Sequence, residues 1–336
     1  MIKETVLDLA FAIQFDHTLF VGHEVIGCHK KIVVMSLDAR LEFPREPVKN
    51  SIALQPPLSA PNGITTYLSE KHWGLKKEGY RENLIEACLI IIPIKANLDF
   101  DLTQEQMSGK DVRSILNSVM DWFDSFNRWI WVLTAQSLNP VYPDPKVLHR
   151  RSRNVIITGS TSEKTSVPSI EPTELTTYIG DDGQESERIV NKKVFDLAVA
   201  SAGTPPPLSL ELLSSARMAA RRRDFRRSLI DAGTASELAL SDSLKLGNNH
   251  ILSLGQLVMK AKKQGLRIPN DTQNSLVALR NDAVHRGRVA SCKDVNRALE
   301  IAEDLVALVV RNLIPFSSLV PVFRPQRHDM IMIRNS

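Results

Sequence analysis

The chain has 336 residues, of which 43% are hydrophobic and 24% charged, with a formal net charge of +4 at pH 7. That length exceeds the ~100–200 residues of one ordinary domain, so two cores are expected. No apolar run reaches the roughly 18 residues of a membrane span, Glu4 and Asp8 stand where a secretory signal would be basic and then apolar, and Cys28, Cys88 and Cys292 form no CxxC pair; a cytoplasmic protein without a disulfide framework, cysteine zinc site or membrane association is expected.

In chain order, Thr18 to Phe43 carries short β-branched and aromatic runs, and Ile64 to Leu68 and Ala87 to Phe100 continue them between Pro, Asn and Gly breaks. These read as strands. Ser108 and Asp111 resemble a capping box, and Val112, Ile115, Leu116, Val119, Phe123, Phe126 and Ile130 recur at helical spacing, which predicts a helix over 109–138. Residues 158–207 are rich in Ser, Thr, Glu, Gly and Pro and read as a polar linker, with the domain boundary at Gly203 to Pro207. The expected organisation is α+β: a strand-rich N-terminal domain over 1–157, the linker, an all-helical domain over 208–315 and a tail over 316–336.

Beyond the linker every segment reads as helix. Leu208 to Arg221 and Asp224 to Leu246 form two helices or one kinked one, and Leu252 to Gln264 a third, stopped by Gly265. Asn270 or Asp271 caps a fourth, which ends at Gly287. Ser291 and Asp294 open a last helix that runs to about Asn312.

The helical part, residues 208–315, holds 17 Lys/Arg against 11 Asp/Glu, whereas the rest of the chain is slightly acidic. Arg217, Arg221, Arg222, Arg223, Arg226 and Arg227 crowd eleven positions, and Lys260, Lys262, Lys263, Arg286 and Arg288 make a second group. A solvated helix face is the ordinary reading of such runs. A phosphate backbone is the alternative, because Lys and Arg neutralise phosphates and release their counterions.

The second group adjoins LRNDAVHRGR, residues 279–288. At about 100° per residue, Leu276, Val277, Leu279, Ala283 and Val284 share one stripe, and Arg280 falls within it. A cation at a core-facing position requires a partner, and Glu237 on the second helix is the candidate carboxylate. Asn281 and His285, four apart, share a neighbouring face. His285 lies in the last turn, where the helix dipole favours the imidazolium. Arg280 and His285 diverge by about 140°, so one copy of the helix does not aim both at one atom. Either the helix end distorts, or the site is shared between two helices, for instance across a two-fold axis.

Arg280, Asn281 and His285 at this spacing, with Glu237 in an early long helix and SLGQLVMKAKKQGLRIPND leading to the motif, resemble the HEPN domains (higher eukaryotes and prokaryotes nucleotide-binding) over residues 208–315. The resemblance implies a metal-independent endoribonuclease without cofactor, acting as a homodimer through this domain. His285 would serve as general acid or base toward the ribose 2′-hydroxyl or the leaving oxygen, Arg280 would stabilise charge on the scissile phosphate, and Asn281 would orient the histidine or hold the phosphate. Glu237 would support Arg280, and Arg221, Arg222, Arg223, Arg226, Arg227, Arg286 and Arg288 would bind RNA. By analogy the chain belongs to a phage-defence or toxin-type system, with its first part a sensor or target-selecting module. The alternative is a non-catalytic HEPN module that binds nucleic acid or nucleotide or dimerises, with Arg280 and Glu237 as a structural ion pair; nucleotide transfer, or modification of this chain by a partner enzyme, is a third.

Other signals read as structural. Trp122, Phe123, Phe126, Trp129 and Trp131 suit packed core better than a base-stacking surface. His17, His23, Cys28 and His29 fit no metal-ligand spacing, and Asp181 and Asp182 read as a solvated turn.

Overall fold

The run Leu9 to Ile13 (LAFAI) shows no polar alternation, the pattern of a strand covered on both faces. It is buried throughout and lies in β1 (Glu4–Gly22). The computed structural model describes residues 4–68, 72–76, 82–97, 110–134, 148–161, 169–178, 189–246, 251–287 and 290–313. The chain is α+β and divides into two units between Pro205 and Pro206.

The first unit is built on an antiparallel sheet of seven strands. After β1 come β2 (His29–Val34), β3 (Leu37–Glu42), helix α1 (Asn62–Tyr67), β4 (Gly74–Lys76) and β5 (Glu82–Asn97). Helix α2 (Lys110–Thr134), β6 (Leu148–Ser160), β7 (Ser169–Tyr178) and α3 (Lys192–Ser201) complete it. The strand order is β2-β3-β5-β1-β6-β7, with β4 alongside β5. β1 pairs with β5 on one side, the register shifting between Gln14 and Leu19, and with β6 over Asp8 to Ile13 on the other. Both faces of the run are buried, which accounts for the missing alternation. Reading the strands only from Thr18 therefore began too late.

Two further expectations fail here. Ile64 to Leu68 is not a strand: Ile64 to Tyr67 lies in α1, which starts behind Pro61, and Ile64 and Leu68 are buried four residues apart, one helical turn. The polar stretch 158–207 is not a linker, since β6 extends to Ser160, β7 pairs with it, and α3 buries Val194, Phe195, Leu197 and Ala198. An edge strand such as β7 pairs through its backbone, so polar, Thr-rich text does not prevent it. Asn191 caps α3 by accepting from the Val194 amide at 3.0 Å.

The helix expected over 109–138 is α2, and positions 135–138, like Ser108, lie outside the described residues. Trp122, Phe123, Phe126, Trp129 and Trp131 are all at most 5% exposed, which makes them core. Phe123 stacks on Phe15 of β1 at 5.7 Å, and Phe126 meets Phe195 of α3 edge-on at 6.3 Å. These rings bind helix layer to sheet. The three cysteines are free. His23 pairs with Glu46 at 3.1 Å, and among the described residues no cluster of His, Cys, Asp or Glu is arranged to hold a metal. The His17 side chain and Asp181 and Asp182 lie outside the described residues. Among those described, no helix is long and apolar enough to cross a membrane.

The second unit is helical: α4 (Leu208–Arg221), α5 (Phe225–Ser243), α6 (Leu254–Lys263), a π-helical turn (Gln273–Ala278) continuing into α7 (Leu279–His285), and α8 (Cys292–Leu313). α5 is central and touches each of the others. Its buried positions are mostly small, Ser228, Ala232, Gly233, Ala235, Ser236 and Ala239, so its neighbours approach closely. Gly265 and Gly287 stop their helices at φ +78° and +61°, the left-handed conformation that glycine adopts without strain. Ser291 and Asp294 form the expected cap of α8.

Two ion pairs fix α8. Arg217 of α4 places Nε and Nη2 at 2.8 and 2.7 Å from Glu303 Oε1, with side chains 10% and 13% exposed. Asp271, expected as a helix cap, instead gives both carboxylate oxygens to Arg297 at 2.7 and 2.9 Å, while its carbonyl accepts from the Asn274 and Ser275 amides. The bidentate guanidinium outcompetes a backbone amide for that carboxylate. The hydrogen bond from Arg297 holds the Asp271 carboxyl down to about 2, against desolvation that opposes it.

Glu303→Ala removes the carboxylate from a buried guanidinium and should cost about 3–5 kcal/mol in denaturant unfolding; a loss below about 1 kcal/mol would show that the pair is not shielded. Asp271 ionises more readily folded than unfolded, where an ordinary aspartate titrates near ~3.9. Its contribution is therefore complete above about pH 4 and disappears as the pH falls toward about 2. The stability gap between wild type and Asp271→Asn should narrow over that window, and a gap independent of pH would contradict the assignment.

Candidate active site

The motif helix is anchored at both ends before its side chains are considered. At its start Asp271 is clamped to α8, and the π-helical turn from Gln273 to Ala278 buries Leu276 and Val277. A π turn inserts an extra residue and rotates the helical positions after it. α7 then buries Ala283 and leaves Leu279 and Val284 half-buried. At its end Arg226, in the first turn of α5, donates from Nε to the Ala283 carbonyl at 3.0 Å. A cation at orphan carbonyls of a helix C-terminus is favourable both as a hydrogen bond and toward the dipole.

Arg280 crosses α5 at Gly233. A Cβ at that position would stand 2.5 Å from Arg280 Cγ and 3.2 Å from its Cβ, so only a residue without a side chain admits the crossing. Four residues along α5, on the same face, Glu237 Oε2 lies 3.7 Å from Arg280 Nη2. Side chains 25% and 28% exposed at that separation make a loose pair, of the ~0–1 kcal/mol class rather than a closed fork. Nη1 reaches Asn281 Oδ1 at 3.4 Å, and Nε has no hydrogen-bond partner. Nε is buried, so the capacity left to this cation, held in place by its stem, is on its loosely engaged Nη1 and Nη2. Arg280, Asn281 and Glu237 line a cavity of about 640 Å³ together with Lys260 and Lys263 of α6.

His285 is elsewhere. It is the last residue of α7, exposed, and does not line that cavity. The π turn ends before Arg280, so the α-helical divergence of about 140° between the two side chains persists. The Arg226 contact does bring the turn joining α4 to α5 to the same end of the bundle as His285. That turn carries exposed Arg222 and Arg223, with Asp224 capping α5 through the Arg227 amide at 3.1 Å.

The basic residues sort into distinct roles. Arg217 belongs to the buried pair with Glu303 and is no part of a surface. Arg226 holds the motif helix, Arg227 faces Asp231 at 3.6 Å, and Arg286 pairs with Asp282 at 3.1 Å, while both guanidiniums of these last two stay exposed. Arg221 is half-buried, and Arg288 lies outside the described residues. Sequence reasoning missed Gly233 and the structural use of Arg226. The glycine was detectable: an interior helical glycine costs about 1 kcal/mol against alanine and calls for a packing reason.

Gly233→Ala sets that propensity gain against a clash with a side chain fixed at its Cβ. Overpacking of this kind costs ~1–3 kcal/mol, so the variant should be less stable than wild type, and less destabilised when combined with Arg280→Ala. Equal costs in the two backgrounds, measured as a double-mutant cycle, would mean that the crossing is not tight.

No family model, no curated protein and no solved structure matches this chain. The family reading accordingly rests on the motif and its helical setting alone.

Proposed function

We propose that the second unit is a HEPN-type domain acting as a metal-independent endoribonuclease, with Arg280, Asn281 and His285 as its site. The observation that carries this reading is Arg280: a half-buried cation, seated on Gly233, whose Nη2 faces its carboxylate partner only at 3.7 Å and whose Nη1 meets Asn281 Oδ1 only at 3.4 Å. Such a group is oriented for an anion without being neutralised by its surroundings, which is what stabilisation of a phosphorane-like charge asks for. His285, exposed beside a basic turn, is accessible for proton transfer to and from a polyanion. Attack by a 2′-hydroxyl confines the reaction to RNA and leaves a 2′,3′-cyclic phosphate and a 5′-hydroxyl. The exposed arginines Arg222, Arg223, Arg227 and Arg286 would hold the flanking backbone, and Arg221 and Arg288 belong to the same RNA-binding reading.

Because Arg280 and His285 diverge, the reading includes a homodimer in which the motif helices of two copies meet. A phage-defence or toxin-type setting in the cytoplasm, with the sheet unit selecting the trigger or target, is the biological counterpart of that reading. The second reading is a non-catalytic HEPN module. It is favoured by the same Glu237 contact, which gives Arg280 a structural occupation.

Cleavage of RNA by wild type in the presence of chelator, with ends carrying cyclic phosphate, is the expected result. His285→Ala should lower the rate ~10²–10⁴-fold and Arg280→Ala ~10²–10³-fold. No cleavage by wild type under any condition tested, or equal cleavage by all three proteins, decides for the non-catalytic module.

A further inference from the structure

The hairpin of β2 and β3 closes through Met35 and Ser36, both at positive φ, 51° and 65°, the two-residue turn whose twist matches the strands it joins. Such a turn makes Val34 and Leu37 a hydrogen-bonded pair, and alternation carries the pattern back through Ile32 and Lys30. The Phe43 amide, donating to the Cys28 carbonyl at 2.9 Å just before β2, keeps the same phase. The amides and carbonyls of His29, Lys31 and Val33 therefore turn away from β3, and β2 is the outermost strand on that side of the sheet. Among the described residues none hydrogen-bonds to those groups. The opposite edge, β7, carries Pro172, which has no amide to donate, a common protection of an open edge; β2 has no proline.

The side chains at the same positions are exposed, Val33 to 60%. A β-branched apolar residue in solvent on an unpaired edge is the reverse of the protection edges ordinarily carry. Lysine is one such guard, but Lys30 shares its face with buried Ile32 and Val34 and is held by Asp196 of α3 at 2.7 Å. Lys31 remains, and it stands directly opposite Arg40, where like charges repel across the ladder. Arg40 is neutralised by Glu42 and donates to Ser59 at 2.9 Å. Lys31 is thus the member of the pair that lacks an anion among the described residues. A carboxylate arriving from the outer side would supply it. A second copy of β2 centred on the same residue would instead set lysine against lysine, which selects a foreign strand of opposite charge.

We propose that β2 accepts an added antiparallel strand from another protein, an extended segment in which an apolar residue stands two positions before a carboxylate. The apolar side chain lies against Val33 and the carboxylate against Lys31. Backbone hydrogen bonds to Lys31 and Val33 supply the affinity, and the two side chains supply the choice of partner. The site belongs to the first unit alone and stands whether or not the second unit cleaves RNA.

The probe is a short fluorescent peptide that alternates threonine with valine, one valine replaced by glutamate, titrated against the full chain by anisotropy; the same peptide with lysine in place of the glutamate is its counterpart. Saturable binding of the glutamate peptide is expected, weakened by salt and tighter than that of the lysine peptide by about tenfold or more. With peptide bound, amide exchange followed by nuclear magnetic resonance should slow at Lys31 and Val33 and stay unchanged at Ile32. Val33→Pro removes an outward amide without breaking a bond to β3, and should weaken binding about tenfold or more. Lys31→Glu should exchange the preference between the two peptides. Absence of saturation, equal affinity for both peptides, or unchanged affinity in a folded Val33→Pro protein overturns the proposal; where that variant does not fold, an unexchanged preference in Lys31→Glu overturns it. A wild-type oligomer that takes up no peptide and is dissolved by Val33→Pro would give the edge to a second copy and overturn it as well.

Discussion

The close crossing of the motif helix over α5 sets what the second unit can do. Arginine is bulky, and its presence on a packed helix face would ordinarily push two helices apart. Gly233 removes the obstacle, and the stem of Arg280 fills the space that an alanine Cβ would claim. The guanidinium is then delivered beyond the helix contact, next to Glu237 and above a cavity, instead of trailing into solvent. A core built of small residues along α5 is the wider condition for this, because it lets α4, α7 and α8 all approach one helix. The interior of the unit gives up bulky apolar packing on α5, and ion pairs at its margins, Arg217 with Glu303 and Asp271 with Arg297, fix the register that bulky side chains would otherwise specify.

Much of this was legible in the sequence, and the parts that were not have identifiable causes. The helix boundaries of the second unit came from caps and stops whose chemistry is local: Ser291 with Asp294, Gly265, Gly287. The partner of Arg280 was legible as well, since a cation on an apolar stripe demands a carboxylate and Glu237 offered one. The π turn was not, because side-chain spacing does not reveal which carbonyl each amide meets. Asp271 was misread as a cap because a sequence does not reveal that Arg297, 26 residues on, arrives with a bidentate grip.

In the first unit, the errors come from pairing and packing that composition does not record. The end of β6 is polar text paired with β1 far earlier in the chain, β7 is polar text paired with its neighbour β6, and α3 is a short helix whose Phe195 packs on Phe126 of α2 and on Phe43 just past β3. Composition alone reads such segments as linker. β1 failed in the opposite sense, being too uniformly apolar for alternation because its run Leu9 to Ile13 is buried on both faces. A central strand and an edge strand are thus the two cases in which period-two patterning carries least information.

The placement of Arg280 and His285 constrains any chemistry they share. On one α-helix they are separated by about 7.5 Å of rise and 140° of rotation, and the regular turns of α7 supply no distortion to close that gap. Arg280 is fixed by Gly233 on one side of the helix; His285 sits at its free end, where Arg226 has taken up the backbone carbonyl but not the imidazole. Two copies related by a two-fold axis near that end would set the histidine of each against the exposed face of the other, with the basic turns flanking both. Charge then decides when such an arrangement is stable. On the proposed ribonuclease reading, two cationic ends would repel each other until RNA lay between them, so the substrate would itself draw the two halves of the site together.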